Sequence, residues 1–113
     1  MNDSEVRKKA KIIYAQAERS FDPNVTKNQL MCEPVVVASW GANNWKAIGN
    51  NALMFEVKGA IHKGVVLITL GWSDLYAVRL LDYELNILPL VKEDIYAEDL
   101  VWVIDKLVET PKK

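Results

Sequence analysis

Between Gly64 and Asp82 two β-rich runs, Val65 to Leu70 and Leu75 to Leu81, flank the short polar segment Gly71-Trp72-Ser73-Asp74. Runs of this kind broken by glycine and small polar residues form a β-hairpin, and Gly71 is expected to supply the positive φ of a tight connection. Along the first run Val65 and Leu67 alternate with Val66, Ile68 and Leu70; along the second, Leu75, Ala77 and Leu81 alternate with Tyr76, Val78 and Leu80. Both sets are apolar, so both faces of the hairpin need cover from other protein. The hairpin is therefore central, and the fold needs more than one covering layer, which could include a second subunit.

The flanking sequence supplies the covering pieces. Asn2 and Glu5 approximate a capping box, and Val6, Ala10, Ile13 and Ala17 then recur at helical spacing, predicting an amphipathic helix over 1–22 that ends near Phe21-Asp22-Pro23. Residues 24–33 are ambiguous between extended chain and a turn of helix. Val35-Val36-Val37 leads to Trp40 and reads as a strand, closed by the turn Gly41-Ala42-Asn43-Asn44. Gly49-Asn50-Asn51 makes a second turn, and Leu53 to Lys58 alternates as a half-buried strand. Leu85 to Leu88 reads as an edge strand because Pro89 cannot donate to a ladder. Finally Asp94 is the expected N-cap of a helix carrying Leu100, Val103, Ile104, Leu107 and Val108 on one stripe, with Trp102 pointing away and Thr110-Pro111 as its end.

The expected architecture is α+β: an N-terminal helix (1–22), an antiparallel meander of about five strands (35–90), a C-terminal helix packed on the sheet (94–109) and a short tail (110–113). Antiparallel order follows because no connection between Val35 and Leu88 is long enough for a parallel crossover. One hundred and thirteen residues, half of them hydrophobic and 26% charged, suit one globular domain with its own core.

Charge and residue inventory narrow the function classes. The formal net charge of −1 is uneven: +2 over residues 1–27, +1 over 28–81, −6 over 82–109, and +2 in the tail. The acidic C-terminal part reads either as a solvated helix face or as a surface for a basic partner. Nucleic-acid binding is not expected, since that affinity comes from neutralising phosphates with Lys and Arg. Nor is membrane contact, because no run reaches the roughly 18 apolar residues of a span and the first helix has a small, alanine-rich stripe. A lone cysteine, Cys32, and a charged N-terminal segment point to a reducing, cytoplasmic setting.

His62 is the single histidine, expected exposed in a loop, and Cys32 is expected as a small buried side chain. Together they are too few for a zinc site, and no phosphate-cradling loop or nucleophile motif is present. No catalytic residue, metal ligand or cofactor is assigned. What stands out is tryptophan. Trp40, Trp45 and Trp72 all border expected turns, and the first two bracket Asn43 and Asn44. Indoles offer rigid contact area and amides offer paired donors and acceptors, so Trp40, Asn43, Asn44, Trp45 and Trp72 form the candidate binding surface. They suit a protein partner, with homodimerisation as one form; a small molecule or oligosaccharide in a pocket between sheet and helix is the alternative.

Ser39-Trp40-Gly41, the segment Leu53 to Gly59 with His62 to Val66, and Glu98 to Val101 with Ile104 to Glu109 resemble a pattern in small uncharacterised single-domain proteins of bacterial phages and other mobile elements. The resemblance covers most of the chain from Val35 onward. It implies no activity and no catalytic residues, and favours an accessory protein that acts by binding.

Overall fold

A computed structural model describes residues 1–109. Helix α1 (Asp3–Gln16) is followed by two short helices, α2 (Pro23–Leu30) and α3 (Pro34–Ser39). Five strands come next: β1 (Asn43–Ile48), β2 (Ala52–Lys58), β3 (Lys63–Leu70), β4 (Tyr76–Leu81) and β5 (Ile87–Ile95). A single 3₁₀ turn, Ala97–Asp99, then feeds α4 (Leu100–Val108). The strands form one antiparallel sheet in the order β1-β2-β3-β4-β5, the α+β meander with terminal helices that the sequence predicts.

Hairpin β3–β4 lies at the centre of the sheet, and its two faces carry two separate cores. On one face Leu53, Phe55, Val57, Val66, Ile68, Leu70, Val78 and Leu80 pack with residues of α2, α3 and α4, among them Leu30, Val37, Trp40, Leu100 and Ile104. On the other, Met54, Val65, Leu67 and Leu81 pack with Ile13 of α1, flanked by Met1 and Val6. The period-two alternation thus sorts each strand between two apolar layers, and the chain's own helices supply both.

Several local expectations are overturned. Val35 to Trp40 is a helix, not a strand. Pro34 at its first position suits helix entry, and helical spacing turns Val37 and Trp40 inward together while Val35 stays 81% exposed. Two inward side chains three residues apart outweigh the β preference of a valine run. The first strand is instead β1, which absorbs the expected turn residues Asn43 and Asn44 along with Trp45 to Ile48. Asn44 carries the positive φ, 53°, at the point where the β1–β2 register shifts.

Helix α1 starts as its cap predicts, with the Asn2 side-chain oxygen accepting from the Glu5 backbone N–H at 2.9 Å and the Glu5 carboxylate accepting from the Asn2 amide at 3.0 Å. It stops at Gln16, six residues before the expected end. The following segment is taken up by the sheet: Arg19 N–H donates to Leu70 O and Phe21 N–H to Asn50 O. Asp22 then caps α2 by accepting from Asn24 N–H, with Pro23 at the first helical position.

At the other end β5 is the edge strand and Pro89 lies in it, as expected, but it runs on to Ile95. Asp94 therefore sits inside a strand with φ 55° and does not cap α4. The stripe of α4 is buried as predicted through Leu100, Ile104 and Val108, joined by Val101, and Trp102 points outward, 47% exposed. The expected tail, with Thr110-Pro111, lies outside the described residues.

Cys32 is exposed and His62 is buried, the reverse of both expectations. For His62 the reason is the β2–β3 loop, which folds onto the end of α4: Ile61 and His62 backbone N–H groups donate to Val108 O, and Ala60 N–H to the Glu109 carboxylate. That docking buries His62, its Nε2 3.4 Å from Val65 O.

Candidate functional site

The structure does not gather the five predicted residues on one surface. Trp40 is sealed, with zero exposure: its ring stacks with Phe55 at 6.2 Å between centroids, and its Nε1 donates to Asp105 Oδ1 at 2.9 Å. A side chain buried on every side and satisfied at its one polar atom offers nothing to a partner, so Trp40 belongs to the core. Trp45 is half-buried, one face against Phe55 at 4.2 Å and the Lys27 ammonium 5.0 Å from its centroid. Asn43 and Asn44 are exposed, but their amide N–H groups point back to the chain. Asn43 donates to Gly41 O, and Asn44 to Met1 O and the Glu56 carboxylate.

Of the three predicted tryptophans only Trp72 is exposed, at 76%. It also stands apart. Asn43 pairs with Glu56 and Glu56 with Val65, so the Asn43 row lies five residues down β3 from Leu70, where the Trp72 turn begins. At the rise of a strand this separates the two by roughly 17 Å along the sheet.

The Trp72 turn is held from three directions. Gly71 N–H donates to Leu75 O at 2.8 Å and Asp74 N–H to Gly71 O at 3.0 Å. The positive φ, 65°, is taken by Asp74 and not by Gly71, which corrects the sequence reading; an aspartate tolerates that conformation better than most residues. Arg19 ion-pairs with Asp74 and so fastens the turn to the segment after α1. Gly71 lies close to its neighbours: a Cβ there would stand 3.3 Å from Leu75 O and 3.4 Å from a carboxylate oxygen of Glu18.

Beside this turn lies a cleft of about 300 Å³, bounded by Gln16, Glu18, Thr69, Trp72, Arg79 and Glu93, among others. Its origin is the early end of α1. That helix covers Val65, Leu67 and Leu81, and past Gln16 the same face of the sheet continues through the buried Thr69 and the partly buried Ala77 and Arg79, which line the cleft. Two polar side chains, Thr69 and Arg79, replace apolar ones where the helix ends, and they satisfy each other by a hydrogen bond. Arg79 forms part of the lining with its side chain 14% exposed, donating from Nη1 to Thr69 Oγ1 at 3.2 Å and holding Nη2 3.8 Å from Glu93.

Sequence reasoning missed Thr69, Arg79, Glu18 and Glu93 as a group. A signal was available: on the face of Val65 and Leu67 the apolar alternation breaks at Thr69, and on that of Ala77 and Leu81 it breaks at Arg79, two positions that the hairpin register places near each other.

No histidine or cysteine lines the cleft, whose charged side chains are Glu18, Arg79, Glu93 and Asp94. Among the described residues no group of three or more His, Cys, Asp or Glu could hold a metal ion, and no helix is long and apolar enough to cross a membrane. No family model, no curated protein and no solved structure matches this chain, so its site is read from its own geometry.

Proposed function

We propose that this chain is a small accessory protein-interaction module, acting in the cytoplasm, whose contact surface is centred on Trp72 and the adjoining cleft. The single observation carrying the proposal is the exposure of a tryptophan on a turn that is itself fixed by two backbone hydrogen bonds and an ion pair. A large apolar ring held in water by a rigid mount loses little conformational freedom when a partner covers it, which is the property of interface anchors. The lone cysteine fits a reducing compartment.

Affinity capture from the native cell with wild type and Trp72→Ala tests this. Trp72→Ala is expected to keep its melting temperature and lose the captured partner; a variant that retains every partner at wild-type recovery removes Trp72 from the function.

The cleft between the sheet and the end of α1 favours a second reading, a small polar ligand such as an oligosaccharide, with Trp72 as its stacking platform. Thermal shifts across an oligosaccharide and metabolite panel test it, and a panel without any stabilising compound rejects it.

A further inference from the structure

We propose that the cleft beside Trp72 receives a lysine or arginine side chain of the protein partner. This rests on the reading of Trp72 as the contact residue and adds the chemistry of what it meets. The charged groups lining the cleft are Glu18, Arg79, Glu93 and Asp94, three carboxylates against one guanidinium. Arg19 and Asp74 near the turn form an ion pair and compensate each other. Arg79 is engaged by Thr69 and by Glu93, so it offsets one carboxylate, and Glu18 and Asp94 remain.

Glu18 is placed to use its charge. Its carboxylate lies against Gly71, the residue before Trp72, so anion and indole border the same mouth. A cation there meets a ring face and a carboxylate together, the combination that draws ammonium and guanidinium groups from water. The molecule contains an internal comparison. Trp45 already has its cation, Lys27, at 5.0 Å, whereas Trp72 presents its ring to solvent. An anionic ligand would face Glu18, Glu93 and Asp94, with the single guanidinium already engaged.

The test is a two-dimensional ¹H–¹⁵N NMR titration of the full chain with capped Gly-Gly-X-Gly-Gly peptides, X being Lys, Arg, Glu or norleucine, at low and high salt. Lys and Arg peptides are expected to shift the amides of Gly71 to Tyr76 and the Trp72 indole N–H, saturably and more weakly at high salt. Glu18→Gln is expected to lower that affinity about two- to fivefold, and Trp72→Ala to abolish it. A Glu peptide that shifts the same signals as strongly overturns the proposal, as does a complete absence of shifts with the cationic peptides. Equal shifts from norleucine and Lys peptides, indifferent to Glu18→Gln, overturn the cation while leaving Trp72 as the contact. If in addition partner capture ignores Trp72→Ala, both readings fall.

Discussion

The Trp40 indole N–H and the Asp105 carboxylate meet at 2.9 Å across a sequence separation of 65 residues, joining the end of α3 to α4. The indole is fully enclosed, so its donor has no water to turn to if the acceptor is lost. Asp105→Ala is expected to destabilise the fold by about 1–3 kcal/mol, whereas Asp105→Asn, which keeps an acceptor oxygen, costs under about 1 kcal/mol. Urea denaturation of the two variants measures the difference. Equal losses would show that the pairing matters through the charge of Asp105 and not through the hydrogen bond.

A second prediction separates the two faces of α3. Val37 is buried in the core and Val35 is almost fully exposed, two residues apart. Val37→Ala is expected to cost about 2 kcal/mol, from the apolar area returned to water and the space left behind. Val35→Ala stays within about 0.5 kcal/mol of wild type, since alanine suits an exposed helix position at least as well. A strand would bury or expose both residues together, so similar costs for the two would mean that the segment is not helical.

Gly59 carries a third. A Cβ at this position would stand 2.2 Å from Val108 O, a backbone atom that already accepts from Ile61 and His62 N–H groups. Neither partner can yield without breaking the contact between the β2–β3 loop and α4. Gly59→Ala is expected to lose about 1–3 kcal/mol, with the amides of Ala60 to His62 exchanging faster. Gly71→Ala, where the nearest atom would be at 3.3 Å, serves as the milder comparison. Equal melting temperatures for Gly59→Ala and wild type would contradict the close approach.

How much of this was legible beforehand depends on how local the deciding physics is. The central hairpin was legible because apolar side chains on both alternating faces admit few fates other than a covered sheet. The α1 cap, the α4 stripe and the outward Trp102 followed from spacing alone. Val35 to Trp40 misled because a β-branched run states a preference that long-range packing of Val37 and Trp40 overrides. The site was half legible. Trp40 and Trp72 look alike in sequence, each beside a glycine at an expected turn, and what separates them is Asp105 and Phe55, distant residues that enclose one and not the other. The cleft depends on where α1 stops, and that is set by Arg19 bonding to Leu70, a pairing no local pattern announces.

Asp82 supplies a pH dependence. Its carboxylate accepts from the Asn86 backbone N–H at 3.0 Å, the Asn86 side-chain amide at 3.2 Å and the Glu84 N–H at 2.9 Å. The Asn86 backbone bond, with help from the Asn86 amide, the Glu84 N–H and the Lys9 ammonium, holds its pKa below the ordinary aspartate value against the opposing effect of desolvation. A folded-state pKa lowered in this way contributes stability that is fully present above the unfolded value and is lost as pH falls through the folded one. Wild type is therefore expected to lose stability below about pH 4 more steeply than Asp82→Asn. Denaturation midpoints of the two between neutral and strongly acidic pH measure this, and parallel acid profiles would show that the β4–β5 turn does not depend on the charge.

The most direct consequence of the tryptophan placement is optical. Of the four indoles, Trp40 is enclosed, Trp45 is half-buried between Phe55 and the Lys27 ammonium, and Trp72 and Trp102 are exposed. Acrylamide must touch a ring to quench it. Trp72→Phe is expected to remove a large share of the quenchable emission and to shift the remaining spectrum to the blue, while the melting temperature stays within a degree or two, since substitution at an exposed turn position costs little. Trp40→Phe should do the opposite, leaving the quenchable share almost intact and lowering the melting temperature, because it removes a buried donor and part of a stacked ring. The two variants thus separate accessibility from stability at residues that occupy similar sequence positions. If Trp72→Phe left quenching unchanged, the ring would be shielded in solution, and its role as a contact residue would fall with its exposure.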